Sequence, residues 1–98
     1  LLSEEGVERI FDVQYEGDDL ILPTPLRLGM GYGLPGEMLP VPNPRTCFWG
    51  GWGGSLAIID LDARMSFSYV MNRMGEGTTG DFRGANLLLA AYGALMAT

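Results

Sequence analysis

The chain reads as an α+β fold, an antiparallel β-sheet of three or four strands flanked by an N-terminal and a C-terminal helix. Three observations predict it. Residues 65–71 alternate, with Met65, Phe67, Tyr69 and Met71 on one side of a period-two pattern, as in a half-buried strand. Residues 46–52 and 55–60 precede them with short links only, and adjacent strands joined that way form an antiparallel meander. The final stretch places Phe82, Ala85, Leu88, Leu89, Tyr92, Leu95 and Met96 at the i, i+3, i+4, i+7 spacing of an amphipathic helix.

The elements follow in order. Ser3 is a helix cap, and Glu4-Glu5 suits the positive end of the helix dipole. Val7, Ile10, Phe11 and Gln14 share a face, so this helix is predicted to close at 14–16, before the turn cluster Gly17-Asp18-Asp19. Leu20-Ile21-Leu22 is a short apolar piece stopped by Pro23-Thr24-Pro25. Over 26–34, Leu28, Met30, Tyr32 and Leu34 alternate with Gly29, Gly31 and Gly33, which predicts a strand whose glycine side is closely approached. Pro40, Pro42 and Pro44 make 36–45 an extended loop. Residues 60–64 are a hairpin connection, 76–80 a flexible loop, and Asp81 the cap of the last helix.

The stretch Thr46-Cys47-Phe48-Trp49-Gly50-Gly51-Trp52-Gly53-Gly54-Ser55 stands apart. Four glycines and two tryptophans fall within six residues. Glycines this dense in a strand mean that something approaches the backbone closely, and flexible linkers rarely carry large aromatics. The strand is therefore read as one whose backbone faces a site.

Composition bounds the chemistry. With 98 residues, 47% hydrophobic and 18% charged, the chain is one small globular domain or part of a larger one. Its net charge is −6, and its six basic residues are scattered arginines, which argues against a nucleic-acid partner. The longest apolar run is too short to span a bilayer, and one cysteine excludes an internal disulfide. The chain opens on Leu1 rather than methionine, so a fragment is expected; the compartment is left open, with the cytoplasm as default. There is no histidine and no lysine. Ser-His, Cys-His and Ser-Lys pairs are excluded within these residues, as is a His/Cys zinc site. No cofactor and no metal is expected. An enzyme made of these residues alone would need carboxylate chemistry.

Gly17-Asp18-Asp19-Leu20, Leu26-Arg27-Leu28-Gly29-Met30-Gly31-Tyr32-Gly33, Trp49-Gly50-Gly51-Trp52-Gly53-Gly54-Ser55 and Tyr69-Val70-Met71-Asn72-Arg73-Met74 occur in that order. Together they resemble the C-terminal part of serine β-lactamase-like hydrolases, closest to the family VIII carboxylesterases, relatives of class C β-lactamases and D,D-peptidases. The resemblance implies a five-stranded antiparallel sheet covered by helices beside an all-helical domain. Residues 1–98 would be the C-terminal segment of the α/β domain. It further implies a nucleophile in an upstream Ser-x-x-Lys motif, assisted by a tyrosine of a Tyr-x-Asn-like motif. Trp49-Gly50-Gly51 takes the place of the third motif, which borders the acyl pocket. Trp52, by position, gives one backbone N–H of the oxyanion hole, and Tyr32 is a pocket wall. The departures are plain: no lysine is present, and none of Tyr15, Tyr32, Tyr69 and Tyr92 begins a Tyr-x-Asn.

The function expected is thus part of a serine carboxylesterase acting on small esters through an acyl-enzyme, with weak β-lactamase activity as an extension. The isolated chain is expected to be inactive. Its partner would be the remaining N-terminal part of the hydrolase, or a self-association partner at the sheet edge. Two alternatives stay open: a non-catalytic interaction or structural module pairing through that edge, and a binding domain with a tryptophan-lined groove for an apolar ligand.

Overall fold

The computed structural model describes residues 1–22, 24–37 and 39–97. Along the chain lie α1 (Glu4–Arg9), β1 (Tyr15–Asp18), β2 (Pro25–Leu28), β3 (Thr46–Gly50), β4 (Leu56–Asp60), β5 (Met65–Tyr69) and α2 (Phe82–Met96). The strands form two antiparallel sheets, β1-β2 and β3-β4-β5. The predicted α+β class stands. Two compact units form, Leu1–Phe48 with Ile59–Met65 and Trp49–Ile58 with Ser66–Thr98.

In the first unit, Ser3 caps α1 by accepting the Gly6 N–H at 3.0 Å, with Glu4 and Glu5 in the first turn and Arg9 in the last. The helix stops at Arg9 rather than at 14–16. The Gln14 N–H instead donates to the Leu28 carbonyl at 2.7 Å, and the next four residues pair with β2 from Tyr15↔Leu28 to Asp18↔Pro25. Gly17 and Asp18, expected in a turn, are strand. The turn begins one residue later, where Asp19 Oδ1 accepts the N–H groups of Ile21 and Leu22 at 2.8 and 2.7 Å. Of the expected Pro23-Thr24-Pro25 stop, Pro23 lies outside the described residues, as does Met38 of the 36–45 loop.

The strand predicted over 26–34 is also corrected. It breaks after Leu28, the Gly29 N–H donates to the Tyr32 carbonyl at 2.9 Å, and Leu28 bridges Gly33 across the resulting tight turn. Gly33 in turn bridges Phe48. The close approach to the glycines is real. A Cβ on Gly29 would run into the Ile10 carbonyl oxygen, and one on Gly33 would lie 2.9 Å from the Phe48 ring. Leu26, Leu34, Cys47 and Phe48 are buried around this turn. Two buried polar groups are satisfied beside them. The Thr46 hydroxyl donates to the Asn43 carbonyl at 2.7 Å, and Asp60 accepts from the Asn43 amide and the Ala63 N–H, both at 2.8 Å.

In the second unit, Leu56 and Ile58 are buried while Ala57, Ser66 and Ser68 are exposed, so the period-two reading of these strands holds. Asp81 caps α2, its Oδ1 accepting the Arg83 N–H at 3.0 Å. The buried line of α2 is Gly84, Leu88 and Tyr92, an i, i+4, i+8 row rotated from the predicted stripe. Phe82, Leu89 and Met96 of that stripe are exposed. Gly84 explains the rotation. A Cβ there would already be 3.3 Å from the Leu56 and Tyr69 side chains, so the helix turns its smallest residue to the sheet. No described helix is long and apolar enough to cross a membrane.

Candidate functional site

The site strand ends earlier than predicted, at Gly50 rather than at 52. Trp49 is 40% exposed while Gly50 is buried. A Cβ on Gly50 would collide with the backbone of Thr79 and Gly80, so nothing but glycine fits there without a shift.

The turn that follows is accounted for bond by bond. The Gly51 N–H donates to the Ser55 carbonyl at 2.9 Å. The Gly51 carbonyl accepts from Gly80 at 3.0 Å and from Gly54 at 3.3 Å. The Gly53 N–H donates to Gly77 at 2.8 Å, and the Gly53 carbonyl accepts from the Gly75 N–H at 2.7 Å and from Arg83 Nη2 at 2.8 Å. Between them, the Trp52 N–H has no acceptor among the described residues. Its direction is nonetheless set, because the peptide unit is planar and trans and its carbonyl, on Gly51, is held by two donors. The N–H must point away from Gly80. The Trp52 indole is 72% exposed and does not cover it from a buried position.

Beside this turn, Trp49, Ser55, Ala57, Ser68, Tyr69 and Val70 line an open depression of about 250 Å³. Ser55 is its only residue from the glycine turn with a hydroxyl, and the chain offers no histidine or lysine to activate it. Burial pushes the Cys47 thiol up, so it stays protonated at neutral pH and is no nucleophile. No group of three or more His, Cys, Asp or Glu suited to a metal ion exists among the described residues. A hollow of about 300 Å³ in the first unit is lined by Leu26, Arg27, Leu34 and Phe48 among others, but Arg27 there faces Glu16 at 3.6 Å and donates to the Pro35 carbonyl at 3.3 Å.

Trp49, Gly50, Gly51 and Trp52 thus stand together, at the end of β3 and the start of its turn. Tyr32 lies in the first unit, half-buried, where its carbonyl closes the 29–33 turn. Sequence reasoning missed Arg83. Its guanidinium bonds the Asp81 carboxylate through Nε at 3.1 and 3.2 Å and Nη2 at 2.6 Å, and also reaches the carbonyls of Arg73 and Gly53, both at 2.8 Å. Those side-chain bonds hold the Asp81 carboxyl below the usual carboxylate range, with the Arg83 backbone N–H adding to the effect. The only sequence signal was an arginine two residues after a capping aspartate.

A meander with a helix packed on it through glycine, and a strand that ends within Trp-Gly-Gly, make an α+β segment whose fold is like that of a β-lactamase-like neighbour. The crystal structure of a family VIII carboxylesterase matches this chain with a TM-score of 0.84 at 33% identity, over 93% of this chain and 25% of that one. The resemblance read from the sequence is therefore borne out in fold, and the chain spans about a quarter of the length of that enzyme. Neither a family model nor a curated protein matches the chain.

Proposed function

We propose that these residues are the C-terminal segment of the α/β domain of a serine carboxylesterase, and that they supply its oxyanion strand. The observation that carries the reading is the Trp52 N–H, unbonded among the described residues and held in one direction by the bonds on the Gly51 carbonyl. Likeness to a family VIII carboxylesterase supports it. In this reading an upstream serine, activated by a lysine and a tyrosine, attacks the ester carbonyl. The developing oxyanion then takes the Trp52 N–H, a preorganised donor of a kind worth about 2.7–4 kcal/mol of barrier. Gly50 and Gly51 leave room for the acyl group, and Trp49 serves as an apolar wall. The intermediate collapses by breaking the ester C–O bond, the alcohol leaving with the proton taken from the serine, and water then hydrolyses the acyl-enzyme to the acid and the free serine.

The experiment joins this segment to an upstream part carrying Ser-x-x-Lys and follows short-chain p-nitrophenyl esters. Trp52→Pro, which removes the N–H, should lower turnover by about 10²–10³-fold. Trp52→Ala keeps the N–H and should stay within a few-fold of the parent. Full activity in the proline variant overturns the assignment. The isolated chain should show no ester hydrolysis above background; activity abolished by Ser55→Ala would point to another mechanism.

One observation favours a second reading, a pairing module. β5 is terminal in the order β3-β4-β5 and presents a strand edge. Sedimentation showing a stable dimer of the 98-residue chain, with no ester activity in any longer form, would support that reading instead.

A further inference from the structure

We infer that Arg83 is a positioning residue for the Trp52 N–H, acting through the Gly53 peptide; the inference rests on the reading of that N–H as the oxyanion donor. The geometry is a clamp. Arg83 Nη2 donates to both the Gly53 carbonyl and Asp81 Oδ2, at 2.8 and 2.6 Å, while Nη1 donates to the Arg73 carbonyl at 2.8 Å. One planar cation thereby ties the turn after Trp52 to the segment after β5 and to the cap of α2. The Gly53 carbonyl takes a second bond from the Gly75 N–H at 2.7 Å, so the Gly53–Gly54 peptide, the second after Trp52, is held from two sides.

Two glycines exist where the clamp leaves no space. A Cβ on Gly54 would lie 2.6 Å from Asp81 Oδ2 and 2.7 Å from Arg83 Nη2, and one on Gly75 would lie 2.8 and 2.9 Å from the same atoms. Gly53 and Gly54 also hold φ of +94° and +125°, values a side chain disfavours and glycine adopts freely, so the bonds on their neighbours, not a backbone preference, select the shape of the turn. The Gly51 carbonyl fixes one side of Trp52; on the other side the Gly53 N–H bonds Gly77, and Arg83 holds the peptide beyond it. Asp81 keeps the guanidinium in the plane that reaches Gly53.

The test uses the ¹⁵N-labelled 98-residue chain and reads no catalysis, so it fails independently of the ester reading. In the unmodified chain the Arg83 Nε–H should exchange with solvent at least about tenfold more slowly than that of the exposed Arg64. Arg83→Gln should shift the Trp52, Gly53 and Gly54 amide resonances and speed exchange of the bonded Gly53 and Gly54 amides about tenfold or more, leaving those of Leu26 and Leu34 in place. Arg83→Lys, which keeps the charge without the fork, should recover only part of the protection. An Arg83 Nε–H as fast as that of Arg64, or a glutamine variant whose Trp52 and Gly53 amides do not move, overturns the inference. Should the glutamine variant unfold, the measurement on the unmodified chain decides alone. A loss of the clamp leaves the oxyanion assignment standing, because that is judged by turnover of Trp52→Pro.

Discussion

The 29–33 turn and the 50–54 turn are both built from glycine and one or two large side chains, yet they hold the peptides of their unbonded N–H groups differently. In the first, Gly29 donates to Tyr32, Met30 to Ile10, Gly31 to Gly29 and Gly33 to Phe48; the Tyr32 N–H has no acceptor among the described residues, but the Gly31 carbonyl of its peptide takes no bond there either, so nothing aims it. Its glycines at 29 and 33 make room for neighbours, the Ile10 carbonyl and the Phe48 ring. In the second, the residues on either side of Trp52 are bonded through both N–H and carbonyl, and the Trp52 N–H has no partner among the described residues. The lesson is that glycine density alone marks crowding. A site is marked by crowding together with an N–H that the crowded backbone aims but does not use.

Substitutions sharpen that contrast. The largest effects belong to glycines whose Cβ would strike backbone, which cannot swing aside. Gly50→Ala meets Thr79 and Gly80, and Gly29→Ala meets the Ile10 carbonyl. Each should cost about 1–3 kcal/mol, read as a lower urea midpoint at unchanged slope. Only the Gly50 variant should also displace the Trp52 amide resonance. A neutral Gly50→Ala would remove the reason for glycine in the site strand.

Gly31→Ala comes next. Nothing lies within 4 Å of its Cβ position, but its φ is +82°, so the cost should be the left-handed penalty alone, about 1–2 kcal/mol by the same measurement. A change of opposite sign is expected at Gly93, which sits on α2 with open space around it. Gly93→Ala should raise the midpoint by an amount corresponding to about 0.8–1 kcal/mol, the helix-propensity difference.

The smallest effect is on acid. The folded-state pKa of Asp81 is depressed by Arg83, so the stability it contributes is in place above its ordinary value near 3.9 and is lost as the pH falls through the lowered one. Amide protection at Gly53 and Gly75 should therefore decline below about pH 4, and Asp81→Asn should remove that dependence. The bonds of the 29–33 turn run between backbone groups, so its amides should hold over the same range. Equal loss in both turns would sink the contrast.

By itself the sequence determined the elements whose causes are local, and it bounded the chemistry. The alternation of 55–60 and 65–71, the Asp81 cap and the 3.6-residue period of α2 depend on neighbours within a few positions, and all were legible. The lack of histidine and lysine excluded an autonomous Ser-Lys or Ser-His centre before any coordinate was known. The placing of Trp49, Gly50, Gly51 and Trp52 on one backbone run was legible too, since contiguity suffices. Tertiary structure decided whatever needs a distant partner. Tyr15–Asp18 became strand because Pro25–Leu28 offered a ladder, against a helical pattern reaching only to Gln14. The strand at 26–34 folded back at Gly29 because Gly33 found Phe48. The exposed side of α2 was set by Gly84 meeting Leu56 and Tyr69. The role of Arg83 was invisible for the same reason: a guanidinium thirty residues along the chain acts on Gly53 through a hydrogen bond, and spacing in sequence carries no record of it.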